Sequence, residues 1–267
     1  MLDLGRFETM WPHLVIALLS IAYFAQRLRV RRSAKRILSQ QKAIYAGKME
    51  RVEVRPHDFP QLNLAYYDDA STNMSRAGFR WLGDYECLTV TRAFPNMRTF
   101  IRCFVGDDGT ITVGVYHIRP RGWMRPLTLL GIVPRNIYAF EFETEFADGT
   151  FLVTNNLAGQ NRMAACPGFL TFQHAPHLKP EDLLKHHREQ LLVVCSEKGI
   201  EPLRVRSREE LWASQDRGNV LKSEYRKSRG YLTREDFEAI AGRTLKSEDE
   251  KLVSEFETQR DKEQKGG

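Results

Sequence analysis

From Thr9 to Met49 the chain contains no Asp and no Glu, but it contains eight Lys or Arg. This one segment accounts for the basic character of the whole protein. The net charge is +6 overall, yet residues 50–267 sum to −1. A duplex-binding domain normally carries a basic patch of its own. A nearly neutral main domain therefore disfavours nucleic acid as a partner. Cysteine is also scarce. Cys87, Cys103, Cys166 and Cys195 are widely scattered, and no C-x-x-C pair is present. That pattern reads as four thiols in a reducing compartment. There is no H-E-x-x-H, no G-x-S-x-G, no phosphate-cradling glycine loop and no dinucleotide fingerprint, so no standard catalytic motif announces an enzyme. No catalytic residue and no cofactor is assigned from the sequence. Strands and helices do not alternate as β-α-β, which argues against a doubly wound sheet.

What is present begins with an apolar run. Met10–Ala25 carries no formal charge apart from His13. Sixteen helical residues cover about 24 Å, short of the ~30 Å hydrocarbon core. Trp11 and Tyr23 lie near the ends, where amphipathic rings favour the interface. Arg27 and Arg29 can snorkel back to the headgroups. The first eight residues are net acidic, unlike the basic start of a signal peptide. Only Ser20 is clearly polar between Leu14 and Ala25, so no polar face marks an interfacial helix. The expected layout is a short extracytoplasmic tail at 1–9, a single transmembrane anchor at 10–26, a basic juxtamembrane helix at 27–47, a cytoplasmic domain at 48–242 and a mobile charged tail at 243–267. Arg27, Arg29, Arg31, Arg32, Lys35 and Arg36 fill six of ten consecutive positions. They place this flank in the cytoplasm. They also suit anionic lipid headgroups, each worth about 1 kcal/mol near the surface.

The main domain reads as α+β. A strand is expected at Arg51–Arg55, a helix entered near Pro60 carrying Tyr66 and Tyr67, a short helix at Ser71–Ala77 and a strand at Tyr85–Thr91. Two Asp-Gly hairpins follow, Arg98–Val105 with Ile111–Arg119 and Asn136–Phe146 with Phe151–Asn155. Together they predict an antiparallel sheet. A two-residue turn at Asp148-Gly149 pairs Phe146 with Phe151. It puts Tyr138, Phe140, Phe142, Thr144 and Phe146 on a buried face. Glu141, Glu143 and Glu145 then stand on a face at least partly wet, where they solubilise. Pro180–Lys198 carries an apolar stripe and stops at Gly199. Ser207 with Glu210 opens a helix running to Arg229, with Gly218 as a point of interruption. Thr233 with Asp236 caps a last helix through Ala241.

Several groups invite chemistry. His174, His177 and His186 lie close in sequence and are metal ligands by type, with His187 beside them on the apolar stripe. His187 also reads as an ordinary core histidine. Asn155 and Asn156 could orient a ligand, or simply shape a turn. The stretch Arg121–Pro134 is long and apolar. Trp123 and Leu129 within it are candidates for a partner surface, and a hidden buried element is the competing reading. The leading functional expectation is a membrane-tethered binding or interaction module that meets a membrane-protein partner or a ligand. The alternatives are a metal-dependent hydrolase using His174–His187 and a lipid-binding domain at the membrane surface. The topology has a direct test. Protease added to sealed right-side-out membranes should leave the C-terminal domain intact, and digestion of that domain there overturns the orientation.

Overall fold

A computed structural model describes residues 4–119, 136–158 and 165–265, with the backbone alone for residues 4–22. Residues 121–134, with Trp123 and Leu129, therefore lie outside the described residues. The chain divides into two compact units, residues 42–240 and residues 1–41 with 241–267.

The larger unit is built on a seven-stranded sheet whose strands stand side by side in sequence order. They are β1 (Arg51–Glu53), β2 (Phe79–Cys87), β3 (Ile101–Gly106), β4 (Thr112–Ile118), β5 (Ile137–Glu145), β6 (Phe151–Asn155) and β7 (Phe169–Gln173). Neighbours from β1 to β6 are antiparallel. The sheet is nonetheless mixed, because β7 runs parallel to β6. That corrects the all-antiparallel expectation. Residues 156–168 are enough chain for a crossover, which a parallel neighbour requires and a hairpin does not.

Its helices include α2 (Leu64–Arg76), α3 (Leu88–Ala93), α4 (Pro180–Lys198) and α5 (Arg208–Ser228). The two short helices expected near Pro60 and Ser71 are one helix, α2, capped by the Asn63 side chain, which accepts from Tyr66 N. Pro180 opens α4 and Gly199 closes it in the left-handed region at φ 63°. This is the Pro-start, Gly-stop asymmetry of an isolated helix signal. Ser207 caps α5 by accepting from Glu210 N at 3.2 Å.

The strand register separates two faces. On one, Phe104, Val113, Val115, Phe140 and Phe142 bury against Tyr67, Ala70 and Met74 of α2 and Leu183 and Leu184 of α4. Two carboxylate–arginine pairs stand on this face. Asp84 binds Arg102 through two hydrogen bonds of 2.8 and 2.9 Å, and Glu86 binds Arg98 through 2.7 and 2.8 Å. Bidentate geometry is what offsets the cost of burying such charges.

The other face departs from expectation, and the β5–β6 hairpin explains why. Its turn is not the two-residue form in which both Asp148 and Gly149 have positive φ. Gly149 alone is left-handed, at φ 80°. Phe146 N donates to Thr150 O and Gly149 N donates to Phe146 O, both at 2.9 Å. This is a three-residue loop ending in a left-handed glycine. The Asp148 carboxylate accepts from Thr150 N at 2.9 Å and from its hydroxyl at 2.7 Å, which holds the loop. Phe151 consequently pairs with Glu145, not with Phe146. A one-residue slip sends every side chain of a strand to the opposite face. Phe151 and Val153 thus join Glu141, Glu143 and Glu145.

The acidic face is therefore partly covered: Glu145 is buried, and Glu141 and Glu143 are half-buried. It carries enough apolar surface to seat α5. Leu221 packs with Phe151, Val153 and Phe169 at one end, and Leu211 packs with Tyr85, Cys103 and Val105 at the other. Gly218 does not interrupt α5. It is the close-approach point, where an added Cβ would meet Phe151 Cζ and Phe169 Cζ at 3.3 Å.

The smaller unit contains α1 (Leu4–Ile44), a continuous helix of 41 residues. At 1.5 Å per residue it is about 60 Å long. Arg27, Arg29, Arg31, Arg32, Lys35 and Arg36 are all exposed on it, as are Tyr23, Phe24 and Leu28. Among the described residues no helix is long and apolar enough to cross a membrane. Most of the apolar run at 10–26 has its side chains outside the described residues. The last segment corrects the expectation of a mobile tail. Ser247–Lys265 forms a helix, numbered α7 after the short α6 (Arg234–Ala241), and Val253 and Phe256 are buried on it. A Lys/Glu-rich composition suits a helix as well as a coil once an apolar pair at i, i+3 can be buried.

Gly218→Val should destabilise the protein by about 1–3 kcal/mol in chemical denaturation, the usual cost of overpacking a close contact. Unchanged stability would mean that α5 is not seated at this point.

Candidate functional site

Between the α5-covered face and α5 itself the two apolar contact zones do not meet. A cavity of about 180 Å³ remains, lined by Arg51, Tyr85, Cys103, Glu141, Glu143, Gln215, Asn219 and Lys222 among others. Gly114 helps to leave it open. It lies opposite both Cys103 and Glu141 in register, and a Cβ built there would meet only Ile101 Cγ2, at 3.4 Å. The helix side is set by spacing. Ser214, Gly218 and Lys222 recur every four residues along α5, with Gln215 and Asn219 beside them, so one face of the helix looks onto the sheet.

Several charged groups around the cavity already have partners. Arg51 donates to Asp216 at 2.6 Å, and Arg217 grips Glu145 through bonds of 2.5 and 2.7 Å. Glu141 Oε2 accepts from Asn155 Nδ2 at 3.1 Å. Three groups remain. Among the described residues, the Glu143 carboxylate and the Lys222 ammonium have no hydrogen-bond or ion-pair partner. Lys222 Nζ instead lies 4.3 Å from the centre of the Phe169 ring. Asn219 is 4% exposed, its Nδ2 donates to Gly47 O, and its Oδ1 has no partner.

The enclosure changes how these groups ionise. Burial pushes the Glu143 carboxyl up to about 7; Lys222 pulls it down, and Glu141 and Glu145 push it further up. Glu143 keeps some accessible surface because it borders the cavity. The protein packed around it still dominates its ionisation. Burial also drives the thiol of Cys103 and the phenol of Tyr85 up to about 12. Both are protonated at neutral pH, and a protonated thiol is a poor nucleophile.

The groups singled out from the sequence are dispersed. His174 and His186 stack, with ring centres 4.6 Å apart and planes 13° apart. His177 is exposed. Among the described residues no three His, Cys, Asp or Glu side chains are grouped to hold a metal ion. His187 is a core residue, as its place on the apolar stripe suggests. Its Nε2 and Nδ1 each lie 3.0 Å from a hydroxyl, of Thr144 and Thr154, and burial lowers its pKa to about 3. Neither nitrogen is free for a ligand. Asn155 and Asn156 are buried and do not form a surface. Asn156 Oδ1 accepts from Phe140 N at 2.9 Å, and its Nδ2 donates to Tyr138 O and Pro176 O. It therefore holds the end of β6. Asn155 alone of this pair reaches the cavity, through Glu141.

Sequence reasoning found the glutamates but assigned them to solvent, and it missed Lys222 and Asn219. The signal was the run of small and polar residues at helical spacing along α5. It becomes informative only once the opposing face is known to be partly apolar. No known protein family, curated protein or solved structure matches the chain.

The Glu143 carboxyl yields a pH-dependent prediction. Its pKa is near 7 in the folded protein and ordinarily 4.5. Across that window the folded state keeps a proton that the unfolded chain has released, so stability falls as pH rises and the full penalty is present above 7. Glu143→Gln removes the penalty. Its Tm advantage over wild type should be smallest near pH 4.5 and largest above pH 7. An advantage that is flat across this range, or that shrinks towards pH 8, would show that Glu143 is not enclosed.

Proposed function

We propose that the chain is a membrane-tethered binding module in which residues 42–240 take a small polar ligand into the cavity beneath α5. The observation that carries this reading is that one cavity holds a carboxylate and an ammonium, Glu143 and Lys222, which are half-buried and take no protein partner among the described residues. Native structures keep such groups where water or a ligand completes them. The tether rests on the apolar run at 10–26 and on the six exposed bases that follow it. The bases suit anionic headgroups, and by the positive-inside rule they support a cytoplasmic domain. A membrane-protein partner would meet the domain at the same surface.

A second reading shares the cavity. A carboxyl that titrates near 7 is matched to proton transfer at neutral pH. Glu143 could serve as a general base on whatever binds, and turnover of a bound molecule followed by NMR separates catalysis from binding.

The test of the primary reading uses the full-length protein in mild detergent and a panel of small amines, carboxylates and amino acids. A binder present at a hundred times its Kd should stabilise the protein by about 2.7 kcal/mol, seen as a rise in Tm. Gly114→Val, which fills open space at the cavity, should abolish that rise while leaving the unliganded protein folded. A panel that shifts neither protein, or one that shifts both equally, removes the cavity as the binding site.

A further inference from the structure

We infer that the ligand of the α5 cavity is a small zwitterion, with an ammonium and a carboxylate a few bonds apart, as in a neutral α-amino acid. The inference rests on the binding reading above and adds the chemical class.

The cavity carries charge of both signs and does not let them meet. Glu143 and Glu141 project from β5, two residues apart on one face. Lys222 projects from α5. The charges sense each other, since Lys222 acts electrostatically on Glu143. No ion pair joins them, although a Lys–Glu contact within 4 Å is the usual outcome when geometry allows it. The spacing is held by the apolar seats at both ends of α5, above all Gly218 on Phe151 and Phe169.

The other basic and acidic groups nearby are already satisfied. Arg51 is held by Asp216 and Glu145 by Arg217. A ligand therefore meets two carboxylates, Glu143 and the Asn155-bound Glu141, and one ammonium, Lys222. A simple amine would leave Lys222 without a counter-charge. A simple carboxylate would sit beside two glutamates. A molecule with both groups meets both walls and leaves the net charge of the cavity unchanged.

Size and lining agree with this class. At roughly 30 Å³ per water, a cavity of 180 Å³ holds on the order of six waters, or a ligand of a similar number of heavy atoms. Met49, Ile101, Tyr85 and Cys103 add apolar wall that a short aliphatic side chain could touch.

The experiment is isothermal titration of the full-length protein in mild detergent at pH 7.5 with three probes of one carbon skeleton. These are a neutral α-amino acid such as alanine or valine, its decarboxylated amine and its deaminated carboxylate. The amino acid should bind at least tenfold more tightly than either half. Glu143→Gln, which is expected to be more stable than wild type, should weaken the amino acid at least tenfold and leave the carboxylate unaffected. Lys222→Met keeps the stem packed on Phe169 and should do the reverse, weakening the carboxylate and sparing the amine. If the amine alone binds as tightly as the amino acid, or the carboxylate alone does, the zwitterion inference is overturned and the binding reading stands. If no probe binds wild type while another molecule produces a Tm rise that Gly114→Val abolishes, the inference is again overturned and the reading stands. If no molecule of any class binds, both are removed.

Discussion

Across the β5–β6 hairpin, Glu145 faces Phe151 where a two-residue turn would have placed Phe146. The slip is one residue, set by a loop in which only Gly149 adopts positive φ and Asp148 binds Thr150. Its effect extends over a whole sheet face. Phe151 and Val153 move beside three glutamates, Phe169 of β7 stacks on Phe151 with ring centres 4.8 Å apart, and α5 gains something apolar to cover. Without that seat the acidic face would stay in water and enclose nothing. The cavity, the raised pKa of Glu143 and the stranded Lys222 all depend on this pairing.

Most buried polar groups in the larger unit are satisfied; among the described residues the exceptions are Trp212 Nε1, Asn219 Oδ1, Ser223 Oγ and Arg229 Nε. Arg102 is shared between Asp84, Asp68 and Ser71. His117 Nδ1 accepts from Asn63 N at 2.9 Å, and Nε2 pairs with Asn136 Oδ1 at 3.1 Å, so its tautomer is set. His187 spans two threonines. Around the cavity, Glu143 and Lys222 are half-buried and stand without a protein partner among the described residues. A single dipolar molecule would pair with both.

The two units also divide the protein physically. The larger unit is close to neutral, and many of its charges are paired. In the smaller one, α1 carries six exposed bases within ten residues together with exposed Tyr23, Phe24 and Leu28. That combination suits a lipid–water boundary, where apolar side chains and bases are stabilised by different layers of one surface.

The α+β class, the two Asp-Gly hairpins, the span of α4 from Pro180 to Gly199 and the Ser207 cap of α5 were legible in the residues. These features are local. They rest on turn chemistry, capping and helical or alternating periodicity within about twenty residues. The core role of His187 was legible too, from its place on an apolar stripe. The parallel pairing of β7, the joining of α2 into one helix and the helical state of 247–265 were not. Each depends on what the segment packs against. The functional site belongs wholly to this second kind. Glu141, Glu143 and Glu145 were visible as an alternating row, yet alternation says only that three carboxylates share a face. Whether that face meets water or a helix was decided by a single register, and by Gly218, the one position where α5 can lie close enough to close it. Periodicity assigns side chains to faces, and only tertiary packing decides what each face meets.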